Sequence, residues 1–402
     1  LERLPGTGHE PSLLPMDQKI DELAKILREN KFVIVWDNFE AVAGLPEAGV
    51  RPAMNEEDRA HLVTFLKKLR GGATKVIITS RSPEPWIPQE HRRKVELGGL
   101  HGEERWHFCN RILGDLGIDV DRESDAFQKL MDALHGLPLL MRAILPQLET
   151  PGVRPEHLTE AINNNLAAFP GVEEALATVY AAFEVIVTGL SNDARELLVP
   201  IAYHERFVDA DYLELMIQES EKAIPRATID ALTTTLARAG LLTDHGQNQF
   251  ELHPALTGYL RGRFVGNVPE AERLAWARAF VKVFAGLADL FTPKAFHEQR
   301  GFMASHLANV VSALDRSETL DGLDDERAAL LQWLGFVHQQ ARDFDAAARY
   351  CEALAEHHCE RRHEKHEASA YHQLGTVAYE RRDFDAAEGW YRKSLEIKER
   401  LG

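Results

Sequence analysis

The chain has 402 residues, 45% of them hydrophobic and 27% charged, with 18 Phe and 6 Trp, which is enough material for roughly two to four cored domains. Its 46 basic against 63 acidic residues leave a net charge of −17, which excludes a global field that would draw it to nucleic acid or anionic lipid. No apolar run is long enough to span a bilayer and no secretory signal opens the chain, while three cysteines without paired spacing exclude a disulfide frame and point to a reducing, cytoplasmic setting.

The chain opens on Leu1 rather than Met, so the numbering is expected to begin inside a longer gene product. The first glycine-rich segment, Pro5-Gly6-Thr7-Gly8-His9, lacks the lysine and the spacing of a phosphate-cradling G-x-x-x-x-G-K-[ST] loop and is expected to be a flexible terminus. Met16–Asn30 places Ile20, Leu23, Ala24, Ile26 and Leu27 on one helical face and leads into the β-branched run Phe32-Val33-Ile34-Val35-Trp36, which ends in Asp37-Asn38-Phe39-Glu40. After a Pro/Gly-rich loop from Gly44 to Pro52, a helix is predicted at Glu56–Leu69, stopped by Gly71-Gly72. A second strand run, Val76-Ile77-Ile78, then ends in Thr79-Ser80-Arg81, followed by a Pro-rich turn with Trp86 and an expected third strand at Lys94–Leu97. Two short buried strands joined by a helix read as neighbours in a parallel sheet, whose ligands sit beyond the carboxyl ends of the strands. Asp37, Glu40 and Arg81 fall there. A carboxylate in that place can hold Mg²⁺, and an arginine can meet a terminal phosphate.

From Leu100 to about Phe169 the pattern is helical, interrupted at Gly114, Gly117 and His135-Gly136-Leu137-Pro138. A polar cap opens a helix at Leu190–Leu198, and Thr228–Ala239 reads as another. Leu241 to His253 reads as two short strands around a polar turn, so the segment is predicted to be a winged helix. Pro269–Leu320 is helical again. At the C-terminus, Leu334-Gly335 through Arg342-Asp343-Phe344-Asp345-Ala346-Ala347 recurs forty residues later as Leu374-Gly375 through Arg382-Asp383-Phe384-Asp385-Ala386-Ala387. Each copy predicts two amphipathic helices about a turn, with Ala347 and Ala387 at close approaches. This pattern resembles tetratricopeptide repeats with a period longer than the usual ~34 residues, which implies extended helices or links. The second copy has no capping segment after Gly402, so the array is expected to continue beyond it.

In this order the pieces resemble the STAND class of signalling ATPases: an NB-ARC-like nucleotide switch, a winged helix, then tetratricopeptide repeats. Asp37-Asn38-Phe39-Glu40 is similar to the end of a Walker B strand, Thr79-Ser80-Arg81 to the sensor-arginine motif, and Gly136-Leu137-Pro138-Leu139 to the GLPL motif. Leu252-His253-Pro254 stands at the winged-helix histidine motif, with a proline where an acid is common. The resemblance implies a mainly α chain with an N-terminal partial α/β nucleotide-binding unit, then a helical domain, a winged helix and a tetratricopeptide-like α-solenoid. The corresponding boundaries are 1–99 (Walker B and sensor strands, no P-loop), 100–175, 176–267, a helical linker at 268–325, and repeats at 326–402. It implies Mg²⁺ on Asp37, a water ordered by Glu40 or Asn38, the γ-phosphate sensed by Arg81, the base packed on Pro138, and a phosphate touched by His253 in an ADP-bound resting state. It further implies a bacterial, slow ATPase switch whose repeat face around Leu331–Glu399 binds a protein or peptide, with an effector outside the chain and possible self-association on activation. Because the P-loop strand and loop are missing, ATP or ADP with Mg²⁺ is expected in the intact protein and not firmly in this chain, which alone is expected to be inactive.

Blander readings accompany each residue. Asp37 and Glu40 could cap a turn, Arg81 could form a surface ion pair, Pro138 could begin a helix, and His253 could be a packing residue. Cys351, His357, His358, Cys359, His363 and His366 suggest a metal, but the charged surroundings favour a solvated helix joining two repeats. Two other functions compete: an ATP-regulated transcriptional activator using the winged helix or a missing terminus, for which only Arg226 and Arg238 offer cations to DNA, and a repeat scaffold with a degenerate nucleotide fold.

Overall fold

A computed structural model describes residues 14–44, 52, 54–172 and 174–402. The glycine-rich Pro5–His9 segment and most of the 44–52 loop lie outside the described residues. The chain divides into two compact units, Leu1–Leu97 and Gly98–Gly402.

In the first unit, α1 (Met16–Glu29) leads into β1 (Val33–Trp36), α2 (Glu40–Ala43) follows at once, and α3 (Glu56–Leu69) precedes β2 (Lys75–Ile78). α3 is fixed at its start by a reciprocal capping box, Asn55 accepting from the Asp58 N–H at 2.9 Å and Asp58 accepting from the Asn55 N–H at 3.0 Å. β1 and β2 pair in parallel, Val33 opposite Lys75 and Trp36 opposite Ile78. Ile34, Trp36 and Val76 pack on Ile20, Ala24, Leu27, Phe65 and Leu69 of α1 and α3. The other face carries Val33, Val35 and Ile77 at 66, 57 and 51% exposure. Residues 94–97 form no strand. Their apolar members Val95 and Leu97 are exposed, because a segment that joins no sheet has no sheet face to bury them against a core.

The second unit begins with α4 (Gly102–Leu116), α5 (Asp125–Ala133), α6 (Pro138–Ile144), α7 (Pro155–Leu166) and α8 (Glu174–Thr188). Next come α9 (Asn192–Glu196), α10 (Leu198–Tyr203), β3 (Phe207–Asp209), α11 (Ala210–Glu219), α12 (Arg226–Arg238), β4 (Leu242–Asp244) and β5 (Gln249–Leu252). The three strands form an antiparallel sheet in the order β3-β5-β4. α13 (Pro254–Tyr259), α14 (Glu270–Phe291) and α15 (Phe296–Ser317) follow, then α16 (Asp324–Gln340), α17 (Phe344–Glu360), α18 (Glu364–Glu380) and α19 (Phe384–Leu401). One continuous core runs from Cys109 to Ala370. The stretch expected as a linker is a buried hairpin: Trp276, Phe280 and Phe284 of α14 have no exposed surface.

α15 carries a line of buried polar groups. Asn309 accepts from the Glu205 N–H at 2.7 Å and donates to the Phe207 carbonyl at 2.9 Å and to His306 Nδ1 at 3.1 Å. Gln299 donates to the Lys294 carbonyl at 2.7 Å and accepts from Trp333 Nε1 of α16 at 2.9 Å.

In the repeats, three-residue turns separate helices of 17, 17, 17 and 18 residues, so the period above ~34 residues resides in the helices and not in the links. Arg342, Arg362 and Arg382 hold φ of 60, 57 and 66°, the left-handed conformation that ends each helix. Asp343 and Asp383 cap the next helix by accepting from the N–H of Ala346 and Ala386. Glycine serves close approach. A Cβ on Gly335 would stand 2.9 Å from Cys351 Sγ, and one on Gly375 would stand 2.5 Å from the Tyr391 ring.

Gly375→Ala is therefore expected to lose about 1–3 kcal/mol in urea unfolding. Gly389→Ala in the same hairpin, where a Cβ meets nothing within 4 Å, should be neutral or gain about 0.5–1 kcal/mol. Burial lowers His204 to about 3 and His306 to about 4 from 6.5, so the unfolded chain takes up these protons first and stability falls as pH drops through 6.5. Each imidazole should cost about 2 kcal/mol by pH 5, and His306→Gln should flatten the stability–pH slope measured by urea unfolding.

Candidate functional site

β1 and β2 end side by side. The Thr79 N–H donates to the Trp36 carbonyl at 3.0 Å and the Phe39 N–H donates to the Thr79 carbonyl at 2.9 Å, so the acidic turn after β1 lies against the Thr-Ser-Arg segment after β2. Thr79 Oγ1 donates to Asp37 Oδ1 and accepts the Asn38 N–H at 2.9 Å. Asn38 sits at φ 55°, a conformation asparagine tolerates better than most side chains. Asp37 is exposed, and its second carboxylate oxygen meets no partner among the described residues.

Glu40, three residues on, has the opposite environment. It is 2% exposed, and its carboxylate receives Arg81 twice, from Nε at 3.3 Å and from the backbone N–H at 3.4 Å. A buried carboxylate needs such partners, since an uncompensated charge there is costly. In this conformation Glu40 holds the arginine and is not presented to solvent.

The loop after Arg81 is itself pinned. Glu84, buried and at φ 46°, accepts from Ser80 Oγ at 2.6 Å and from Trp86 Nε1 at 2.7 Å, and its carbonyl accepts from Arg92 at 2.8 Å. Trp86 stacks on Phe39, which stacks on Trp36, at 5.9 Å in each case. These rings join the two strand ends into one platform. The sequence singled out Trp86 only as part of a turn and gave no sign of Glu84, because a carboxylate between two prolines looks like any surface acid.

The other two nucleotide candidates lie in the second unit. Pro138 is exposed at the first position of α6, where its missing N–H costs nothing. The turn before it needs its glycine: Gly136 has φ 65°, its carbonyl accepts the Leu100 N–H at 2.7 Å, and an added Cβ would collide with the Leu100 carbonyl. His253 caps α13, Nδ1 accepting from the Ala255 N–H at 3.3 Å, and its own N–H donates to the Leu241 carbonyl.

The two cations considered for DNA contact are engaged with carboxylates. Arg226 meets Asp211 at 2.6 Å, Glu214 at 2.8 Å and Asp230 at 2.9 Å, which holds it firmly protonated, and Arg238 pairs with Glu149.

Comparison with known proteins gives three kinds of likeness. Two probable disease resistance proteins of Arabidopsis thaliana are 22 and 23% identical over 156 residues, 38% of this chain. The chain spans less than a fifth of their length, 16 and 17%. A solved structure of a Signal Transduction ATPase with Numerous Domains (STAND) protein with a tetratricopeptide repeat sensor, from Pyrococcus horikoshii, aligns with a TM-score of 0.43 at 14% identity, covering 96% of this chain and 64% of that one. The family model for the tetratricopeptide repeat matches residues 325–400. The forty-residue recurrence, the equal hairpins and the glycine approaches have one description: the C-terminal helices are tetratricopeptide repeats.

Proposed function

We propose that this chain is the regulatory core of a STAND-type signalling protein, switched by ATP and ADP, with the repeats reading a protein or peptide signal. The observation that carries the reading is the placement of Asp37 and the Glu40–Arg81 pair beyond the carboxyl ends of two adjacent parallel strands. That is where such sheets handle ligands. The partial similarity to plant disease resistance proteins supports a role in signalling.

In this reading the half-engaged, exposed carboxylate of Asp37 suits a hard cation that keeps several waters. Mg²⁺ bound there would neutralise charge on the phosphates. Arg81 is the γ-phosphate sensor, and Glu40 is its counter-anion when no phosphate is present. A phosphate drawing Arg81 away would leave Glu40 uncompensated, which couples the nucleotide to the loop held by Glu84 and Trp86. The resemblance also assigns a base to Pro138 and a phosphate to His253, both in the second unit. We read residues 176–267 as a winged helix used for internal docking, since β3, α11, α12, β4 and β5 follow one another with the three strands in one sheet, and Arg226 is already neutralised. The protein is read as cytoplasmic; no helix among the described residues is long and apolar enough to cross a membrane.

Calorimetric titration of ADP and ATP with Mg²⁺ into the 402-residue chain, and into a polypeptide joining it to a P-loop segment, tests this. Binding is expected in the joined polypeptide, with at least about a tenfold loss of Mg²⁺-dependent affinity in Asp37→Ala. No binding in either polypeptide would overturn the switch. In the joined polypeptide Glu40→Gln should tighten ATP over ADP by about fivefold, because Arg81 is released from an ionic partner. A Glu40 that only orders water would instead leave both affinities unchanged and slow hydrolysis.

A further inference from the structure

The three turns of the repeat array share one backbone. The N–H of Asp343, His363 and Asp383 each donates at 2.9 Å to the carbonyl five residues earlier, in His338, His358 and Ala378. Their side chains differ. The first and third turns carry an aspartate cap followed by Ala346 and Ala386, and the first adds a hydrogen bond between His338 Nδ1 and Asp343 at 3.1 Å. In the middle turn, which links the two repeats, histidine replaces both the aspartate and the alanine, and His363 makes no capping bond. The result is a triangle of imidazoles. Ring centroids lie 5.2 Å apart for His358 and His366, 6.0 Å for His358 and His363, and 6.2 Å for His363 and His366. His358 is 8% exposed and its Nδ1 is buried without a hydrogen-bond partner.

We propose that the turn between α17 and α18 is an acid-sensitive joint between the two repeats, loosened when His358, crowded by the rings of His363 and His366, takes up a proton. The charges that act on His358 do not offset that uptake. On α17, His357 stands 5.6 Å from His358 and Arg361 follows it. Arg361 is bound to Asp324 of α16 and to Glu360, and Arg327 of α16 adds another cation beside His357. On α18, Glu367 is engaged by Cys359 and Tyr371, while Glu364 is paired with Arg400 of α19 at 3.0 Å. Arg362 lies in the turn itself.

The sign follows from burial. Desolvation first, then the neighbouring imidazoles and Arg361, lowers His358 from 6.5 to about 4 in the closed joint. The opened joint therefore binds the proton first, and closure weakens as pH falls from 6.5 towards 4. At pH 5.5 this one ring shifts the opening equilibrium about tenfold relative to pH 7.5.

Hydrogen exchange of the full chain at pH 7.5 and 5.5, corrected for intrinsic rates, tests the joint. The turn around Arg382, which has no imidazole, is the internal control. Residues 355–370 should lose protection about tenfold more than residues 375–390 on acidification. The double substitution His363→Asp with His366→Ala, which copies the flanking turns and gives His358 a carboxylate, should abolish the difference. Equal loss at both turns, or a variant that keeps the full acid response, would overturn the proposal. Should the variant fail to fold, the comparison of the two turns within the wild-type chain still decides.

Discussion

A buried amide cannot be placed loosely, because each of its hydrogen-bonding groups left unpaired costs about 1–3 kcal/mol. Asn309 is such a group, and its bonds to Glu205, Phe207 and His306 leave α15 one position against β3. Hydrophobic contact between α14 and α15, such as Phe291 on Phe302, is non-directional and would accept a sliding helix. The amide does not. At the other end of the same helix, Gln299 receives Trp333, so the position set at the small sheet passes directly to α16 and the first repeat. Sheet, hairpin and repeats are registered by polar bonds inside an apolar core, at the expense of acid tolerance, since His204 and His306 must stay neutral there.

The first unit follows a different logic. Its two carboxylates differ by three residues and by environment: Asp37 is exposed and half-engaged, while Glu40 is buried and ion-paired. Burial makes Glu40 dependent on Arg81, and exposure leaves Asp37 available. A two-stranded parallel sheet with one bare apolar face, Val33, Val35 and Ile77, offers little rigidity of its own. The stack of Trp36, Phe39 and Trp86 and the bonds to Glu84 supply it locally, where the strand ends meet.

Much of this was legible in the sequence. Period-3.6 apolar spacing set α1 and α3 within a residue of their observed limits, and the parallel strands followed from β-branched runs around a helix. The forty-residue recurrence gave the hairpins, and Arg-Asp-Phe-Asp gave their turns. The strand at 94–97 was expected from two alternating apolar residues, which is too little pattern to test whether a pairing partner exists. β3 was missed because three residues between a buried helix and a cap carry no alternation. Buried polar groups were the least visible: Asn309, Gln299 and Glu84 owe their roles to what lies across from them, and a linear sequence does not record that. Asp37, Arg81 and Glu40 were found as a group, whereas the Glu40–Arg81 pairing was not.

The repeat turns recur every twenty residues, at Arg342, Arg362 and Arg382, which makes the array phase-locked. An α-helix turns about 100° per residue, so equal spacing brings Gly335 and Gly375 to the same azimuth in each hairpin. A residue inserted within α18 would rotate everything after it by that angle and present a larger side chain to Tyr391 in place of Gly375. The same residue inserted in a turn would displace the next helix without changing its internal phase. A change of length is thus less disruptive in a turn than within α16 to α19, where it breaks the glycine approaches.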